Sequence, residues 1–378
     1  MQLNKWTIAL ATVGAVSFVA QADEHPINTA LSSTTLSGYV DTSAIWNLGT
    51  GGGSNARFVN TGANRQDGFN LNVVKVQLEK PLDEGTWSAG YKTELMFGPD
   101  ASALPGLVAP NVALKQAYVA LRAPVGNGLD FKIGEFDPIV GYEVTDSYAN
   151  PNFARSYGFN NLEPFGHTGV LATYQFNEMF GASVGIANGD NGFGLNGGTL
   201  TARGSAFRET DKTYMASIVL KAPESTGWFA GSSLYAGVVH GTGSGSDPTL
   251  LYIGGTMATP WKQLTLGASA DILLDARGGG FGGSYANAFA VYASYQFTEK
   301  LKMNNRFEYA NSGYGAFATT VARDKVIGLT TTLDYSLWAN VVTRAEFRWD
   351  RSVSSGGFIA NNGKHNDFSI LANVIYKF

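Results

Sequence analysis

Apolar and polar residues alternate along most of the chain after residue 34. The alternation is clearest in 86–97, 301–310 and 341–350, where most alternate residues are apolar and those between them are small, polar or charged. A period of two residues is typical of a β-strand whose two faces meet different surroundings. The pattern therefore predicts an all-β fold.

About sixteen segments carry this alternation, and their connections differ in length in a regular way. Long connections such as 47–67 and 137–166 alternate with short ones such as 81–85 and 177–179. A typical segment has about ten residues, which is what a tilted strand needs to cross a bilayer. The segments lie near 34–46, 68–80, 86–97, 111–123, 129–136, 167–176, 180–187, 213–222, 228–241, 249–257, 264–275, 285–297, 301–310, 325–336, 341–350 and 367–378.

An even number of strands, with long loops at one end and tight turns at the other, is the layout of an outer-membrane barrel. The sequence therefore predicts a transmembrane antiparallel β-barrel of about 16 strands over residues 34–378, in the outer membrane of a bacterial cell. We expect the long loops outside the cell and the short turns in the periplasm. A soluble sandwich gives no reason for loop length to differ between its ends.

The N-terminus carries the features of an export signal. Lys5 supplies a positive charge, 6–20 is mostly apolar and uncharged, and Ala20-Gln21-Ala22 forms a small-x-small cleavage site. We predict a signal peptide over 1–22 and an N-terminal extension over 23–33. The alternative is a membrane anchor, but about fifteen apolar residues are fewer than the ~20 that span a bilayer.

Composition narrows the classes of function. Charged residues make up 15% of the chain, below the roughly 25% of ordinary soluble domains. The chain has no cysteine, which excludes thiol chemistry and cysteine-ligated metal. Its net charge is −4 and it has no basic cluster, so we expect no nucleic-acid partner. We also predict no metal and no cofactor.

Matches to chemical motifs fail on their context. Gly192–Gly197 fits the pattern G-x-G-x-x-G, but no helix is predicted after it. The loop 189–192 lacks the spaced ligands of an EF-hand. None of the four histidines has a serine two residues away on its own strand, as a lipase-like pairing would need. We therefore predict that the protein is not an enzyme.

Charged side chains predict which face of each strand points inward. An arginine or lysine that faces the bilayer midplane costs roughly 2–4 kcal/mol. Barrels of sixteen or more strands enclose an aqueous channel rather than a packed core, so charged strand residues are expected to line that channel. These residues are Lys92, Glu94, Lys132, Asp271, Arg306, Glu308, Arg344 and Arg348.

Aromatic residues collect beside the short turns. We expect them to form the periplasmic aromatic girdle, because amphipathic rings favour the membrane interface. The alternative is that they fill a soluble core. They are Phe176, Phe180, Trp228, Trp261, Phe297 and Trp338.

The connection 137–166 is too long for a simple loop. Loops of this length are usually functional or disordered, and its many Tyr, Phe and Asn residues favour an ordered one. The stretches KIGEFDPIVGYEV, NPNFARSYGF and EPFGHTGVLATY resemble the β-barrel porin 2 family, over about 111–176. The matching positions are Gly141, Glu143, Asn152 (or Asn150), Arg155, Ser156, Pro164, His167 and Gly169.

The resemblance implies an outer-membrane channel without fixing its substrate. By analogy with sixteen-stranded porins, the third long loop is expected to fold into the lumen, where Glu143 and Arg155 would form the constriction and set ion preference. The alternative is that these charges only form salt bridges between the loop and the wall. Further pore-lining candidates are Arg122, Arg306, Arg344, Arg348, Lys92, Glu94 and Glu308.

The last strand is apolar on alternate residues up to Phe378 and is expected to pair with the first strand. A terminal Phe resembles the signal that the outer-membrane assembly machinery reads. We predict a porin for passive diffusion of small hydrophilic solutes or ions, set in outer-membrane lipid. A homotrimer is common for this architecture. The alternatives are a specific channel for an anion or sugar, and a plugged structural or adhesive barrel.

Overall fold

The computed structural model describes most of the chain. The predicted signal peptide, most of the predicted extension and the Gly192–Gly197 motif lie outside the described residues. Within the described residues, no helix has the length and apolarity that a membrane crossing requires. The described residues are 27–28, 33–48, 67–83, 87–104, 107–109, 111–188, 209–242, 247–275, 285–317, 319–321, 323–359 and 362–378.

Sixteen long antiparallel strands form one closed sheet in which each strand pairs with its neighbours in sequence. The two-residue strand Ile27–Asn28 pairs with the first long strand, and Leu107–Ala109 pairs with the fourth. The long strands are β1 (Thr35–Asn47), β2 (Gly68–Lys80), β3 (Ser88–Phe97), β4 (Val112–Ala123), β5 (Leu129–Phe136), β6 (His167–Gln175), β7 (Phe180–Asn188), β8 (Lys212–Lys221), β9 (Ser233–Gly241), β10 (Thr249–Ala258), β11 (Leu264–Leu274), β12 (Ala286–Gln296), β13 (Leu301–Ser312), β14 (Lys325–Trp338), β15 (Val341–Ser352) and β16 (Asn366–Lys377).

The last strand closes the barrel against the first. Tyr39 lies opposite Lys377, and the pairing continues to Asn47 opposite Ser369. Phe378 extends it, since its backbone exchanges two hydrogen bonds with Gly38, at 2.8 and 3.0 Å. Closure removes the open sheet edge that would otherwise expose unpaired backbone groups to lipid.

The sixteen predicted strands are all present, and the predicted inward faces are confirmed. On β15, Arg344, Glu346 and Arg348 are at most 5% exposed, whereas Phe347 is 40% exposed. The barrel therefore keeps charge inside and apolar side chains outside, the reverse of a soluble β-protein. On β16 the outward residues are Phe368, Ile370, Ala372, Val374 and Tyr376.

The largest difference from the predicted strand boundaries is at the start of β9, and the other boundaries agree to within two residues. The alternation predicts a strand over 228–241, but β9 begins at Ser233. The preceding Glu224–Phe229 forms a 3-10 helix with a kink at Gly227, whose φ is 64°. A positive φ costs glycine little because it has no Cβ. Local turn chemistry therefore replaces the start of the strand.

The aromatic residues beside the short turns lie on the outer surface. Of the six predicted girdle residues, all but Phe180 are between 49% and 71% exposed. Phe180 is half-buried because its ring stacks on Phe176, with centroids 5.0 Å apart. Their position at the end of the barrel suits a membrane interface, where one part of each ring meets lipid and the other meets water.

Candidate functional site

The connection between β5 and β6, residues 137–166, is called loop L3 below. It contains a 3-10 helix, Ser147–Ala149, and one short helix, α1 (Tyr157–Asn161). Ser156 caps α1, because its Oγ accepts a hydrogen bond from the Phe159 N–H at 3.2 Å. Most residues of L3 are buried, so the loop packs against other parts of the barrel.

Glu143 joins L3 to the wall. Its Oε1 lies 2.6 Å from Nη1 of Arg306 on β13. The Glu143 carboxylate also accepts hydrogen bonds from the Ser156 N–H at 2.7 Å and the Tyr292 hydroxyl at 3.2 Å. Glu143 is 4% exposed and Arg306 is 0% exposed. Charges buried to this degree are stable only when they are paired and hydrogen-bonded.

Arg306 belongs to a row of charges of alternating sign on β13 and β15. Glu308 Oε1 lies 3.1 Å from Arg306 Nε and 2.9 Å from Arg348 Nη2. Arg348 also binds Asp350 through two nitrogens, both at 2.7 Å. Tyr157 of L3 donates its N–H to Glu308 at 2.7 Å and its hydroxyl to Asp350 at 2.8 Å. The row of charges therefore holds helix α1 as well as itself.

The next part of β15 binds the backbone of L3. Arg344 donates to the Ser147 carbonyl at 2.8 Å. Glu346 accepts hydrogen bonds from the N–H groups of Phe153 and Ala154, at 2.6 and 2.9 Å. These backbone groups lie outside the strands, so no ladder of strand hydrogen bonds satisfies them. The wall side chains take over that role.

Arg155 is buried inside L3. Its guanidinium donates to the carbonyls of Val144, Thr145 and Phe153, at 3.0, 2.9 and 2.6 Å. Arg348 donates in turn to the Arg155 carbonyl at 3.2 Å. A guanidinium carries five N–H donors in a fixed fork, which suits it to hold several turns of one loop together.

The other side of L3 contacts β2. Lys75 Nζ lies 2.7 Å from Asp146 of L3 and 3.0 Å from Glu94 of β3. Glu94 also binds Lys92, at 2.9 Å. The two predicted residues Lys92 and Glu94 therefore belong to a chain of charges that ends on L3.

Two further contacts attach L3 to β11 and β12. The rings of Tyr142 and Tyr292 stack, with centroids 4.0 Å apart and planes at 16°. The carboxyl groups of Glu163 and Asp271 interact electrostatically, and these residues are 3% and 1% exposed. Burial and the Asp271 carboxylate raise the pKa of Glu163 well above its ordinary value. Two buried carboxyl groups this close disfavour ionisation of both.

A cavity of about 430 Å³ lies between L3 and the wall formed by β2 to β7. It extends to the short turns, where Leu82, Asn127 and Glu178 line it. The L3 residues that line it include Ile139, Glu143 and Phe165. Its basic lining residues are Lys80, Lys92, Arg122 and Lys132.

Arg122 lines the same cavity as Lys92 and Glu143, but it lies away from the predicted residues that bind L3. Arg122 lies near the short-turn end of β4 and binds Asp130 through Nε and Nη2, both at 2.6 Å. The predicted site residues that the structure brings together around L3 are Glu143, Arg155, Arg306, Glu308, Arg344 and Arg348.

Several residues that bind L3 were not among the predicted site residues. Glu346 and Asp350 could have been predicted from the sequence, since arginine and acidic residues alternate along the inward face of β15. No sequence pattern predicts Glu163 and Asp271 as a pair, because their interaction depends on how L3 packs against β11.

A closed barrel of sixteen antiparallel strands, with charged residues inside and apolar rings outside, defines the porin class of outer-membrane proteins. The profile of the family described as "Putative beta-barrel porin-2, OmpL-like" matches residues 33–378. The chain belongs to this family and is an outer-membrane porin, which confirms the resemblance found in the sequence. No curated protein matches the chain.

Solved structures share the fold at low sequence identity. The outer membrane channel DcaP of Acinetobacter baumannii is 13% identical, with a TM-score of 0.61 over 91% of this chain and 97% of that one. An anion-selective porin from Comamonas acidovorans is 13% identical, with a TM-score of 0.61 over 92% and 99%. A trimer form of OmpT of Vibrio cholerae is 12% identical, with a TM-score of 0.54 over 91% and 99%.

Proposed function

We propose that the protein is a narrow aqueous channel for passive diffusion of small hydrophilic solutes or ions, with L3 as its constriction. The observation that carries the proposal is the cavity between L3 and β2 to β7, which contains side chains of both charge signs. Opposed charges around a narrow passage orient dipoles and set ion preference. The proposal includes no chemical step, no cofactor and no enzymatic activity.

The predicted site residues take two roles in this proposal. Lys92 and Arg122 line the cavity and act on passing solutes, whereas Glu143, which also borders it, mainly holds L3 through its salt bridge with Arg306. The others hold L3 in place, directly or through their neighbours: Glu94, Arg155, Arg306, Glu308, Arg344 and Arg348. A positioning role for the second group follows from the near-complete burial of its side chains.

Two alternatives remain as second candidates. A plugged structural or adhesive barrel is favoured by the many hydrogen bonds that L3 makes to β13 and β15. A channel selective for an anion or sugar is favoured by the basic residues of the cavity, and the Comamonas acidovorans relative is anion-selective. The two alternatives differ in whether ions pass.

The test is single-channel recording of the refolded mature protein in a planar bilayer under a salt gradient. Discrete conductance steps support the channel, and the sign of the reversal potential gives its ion preference. Silence from a barrel whose fold is verified by its heat-dependent gel mobility contradicts the channel and supports the plugged barrel.

We also propose a homotrimer in outer-membrane lipid, assembled through recognition of Phe378 by the outer-membrane assembly machinery. The trimer form of the Vibrio cholerae protein supports the first part. The mass of the detergent-solubilised complex, measured by light scattering, distinguishes three chains from one.

A further inference from the structure

Lys132 is a basic residue of the cavity beside L3 that binds no carboxylate among the described residues. It lies on β5, half-buried, and its Nζ stands 4.9 Å from the centre of the Tyr118 ring. By contrast, Lys92 binds Glu94 and Arg122 binds Asp130. Lys80 is the last residue of β2 and lies at the short turns.

The acidic residues near Lys132 are bound elsewhere. Asp137 lines the cavity but forms its salt bridge with Lys115 of β4. Glu79 accepts a hydrogen bond from Gln77 at 2.8 Å and lies 4.0 Å from Lys92. The ammonium group of Lys132 is therefore left to attract an anion that enters the cavity, and the confined surroundings strengthen that attraction relative to bulk water.

Apolar and aromatic side chains surround the same space. Tyr118 and Leu171 line the wall side, and Ile139, Phe159 and Phe165 line the L3 side. The Phe159 and Phe165 rings contact each other, with centroids 5.1 Å apart. An ammonium group that has no carboxylate partner among the described residues and lies beside apolar and aromatic side chains favours amphipathic anions, even though the lining also includes carboxylates such as Glu79 and Asp137.

We propose that this cavity is a binding site for small organic anions with an apolar body, of which an aromatic carboxylate is the simplest form. The carboxylate binds Lys132, and the body packs against Tyr118 and the aromatic residues of L3. This inference rests on the proposed channel function and deepens it by naming the class of solute that the channel binds.

The experiment measures how solutes interrupt the single-channel current. Benzoate is the probe, acetate tests the anion without an apolar body, and benzyl alcohol tests the body without the charge. We expect benzoate to interrupt the current in the low millimolar range, and acetate and benzyl alcohol to require at least tenfold higher concentrations. If all three solutes interrupt the current equally, the inference is wrong.

Variants of the lysine locate the site. We expect Lys132→Met to raise the half-blocking benzoate concentration at least tenfold, and Lys132→Arg to restore it to within threefold. The matched control is Lys302→Met, which removes a basic side chain from β13, away from the cavity, and should leave the block unchanged.

The outcomes separate this inference from the proposed channel. If neither the unchanged protein nor the variants conduct ions, the proposed channel function is contradicted. If the channels conduct but Lys132→Met and Lys302→Met change the block equally, only the binding site is contradicted. Should Lys132→Met fail to fold, the comparison of benzoate with benzyl alcohol on the unchanged protein still decides the question.

Discussion

Glu143 and Arg306 are 163 residues apart in sequence, and their charged groups meet at 2.6 Å. The first belongs to a loop and the second to a strand, and neither is more than 4% exposed. A pair buried in this way adds little net stability, but loss of one partner leaves the other charge uncompensated. Its main effect is therefore to specify where L3 lies.

Glu143→Gln tests this effect. The change removes the charge and keeps the shape, while Arg306 retains Glu308. Breaking a buried pair costs on the order of 3 kcal/mol, so we expect L3 to dock less firmly. Single-channel current should become larger and noisier. Glu299→Gln, at an exposed turn outside the cavity lining, is the control that should change neither the size nor the noise of the current. An unaltered current in Glu143→Gln would show that L3 needs no salt bridge.

Arg155→Met tests whether Arg155 shapes the loop or selects ions. The side chain is 0% exposed and donates to carbonyls of L3. Each buried carbonyl left without a donor costs about 1–3 kcal/mol. We expect faster protease cleavage within L3 and altered conductance, whereas the exposed Arg351→Met should change neither. A shift of reversal potential towards cations at unchanged conductance would instead support the constriction role predicted from the sequence.

The Glu163 carboxyl predicts a dependence of barrel stability on pH. Because its pKa is raised in the folded protein, the folded state binds the proton more tightly than the unfolded state. The stability that Glu163 contributes is therefore complete below the ordinary glutamate pKa of about 4.3 and falls as pH rises above it. Glu163→Gln keeps an N–H donor that does not ionise, so this variant should lose less stability between pH 5 and pH 8.

The measurement is the temperature at which the folded band disappears on an unboiled gel, at both pH values. Glu299→Gln, at an exposed turn, should follow the unchanged protein. An equal fall in Glu163→Gln and in the unchanged protein would mean that Glu163 does not hold the proton.

Phe378→Ala tests the role of the terminal residue in assembly. The Phe378 backbone closes the barrel against Gly38, and this contact survives loss of the ring. We expect the variant to refold in detergent with the normal yield, yet to reach the outer membrane of cells at severalfold lower amounts. Tyr376→Ala, two residues earlier on the same outward face, is the control. Equal losses in both variants would point to general destabilisation of β16.

The fold could be predicted because each strand carries its own information. On β15, the alternation of a few neighbouring residues divides the side chains between two faces. The cost of a charge in lipid then indicates which of the two faces points to the interior. The largest boundary error is at β9, because the kink at Gly227 is a local backbone preference that the pattern of hydrophobicity does not contain.

The candidate site was predicted in part. The sequence singled out Arg306 and Arg348 because charges on strands are costly in lipid, and it singled out Glu143 by analogy with the third loop of sixteen-stranded porins. It placed Arg122 in the same group, although its partner Asp130 follows a tight turn and keeps it at the other end of the strand. The sequence of a single strand is enough to infer which side chains point inward. The position of a side chain along the barrel axis depends on the register of all the strands.

The sequence by itself determined a sixteen-stranded barrel with a charged interior. The bilayer on one side and the interior on the other impose the same alternation of apolar and polar residues on every strand. Only the tertiary structure decided which of those charges bind each other and which face the cavity. L3 joins residues such as Tyr157 and Asp350, which are 193 positions apart, and no local pattern encodes a contact over that distance. The same path leaves Lys132 without a carboxylate partner among the described residues.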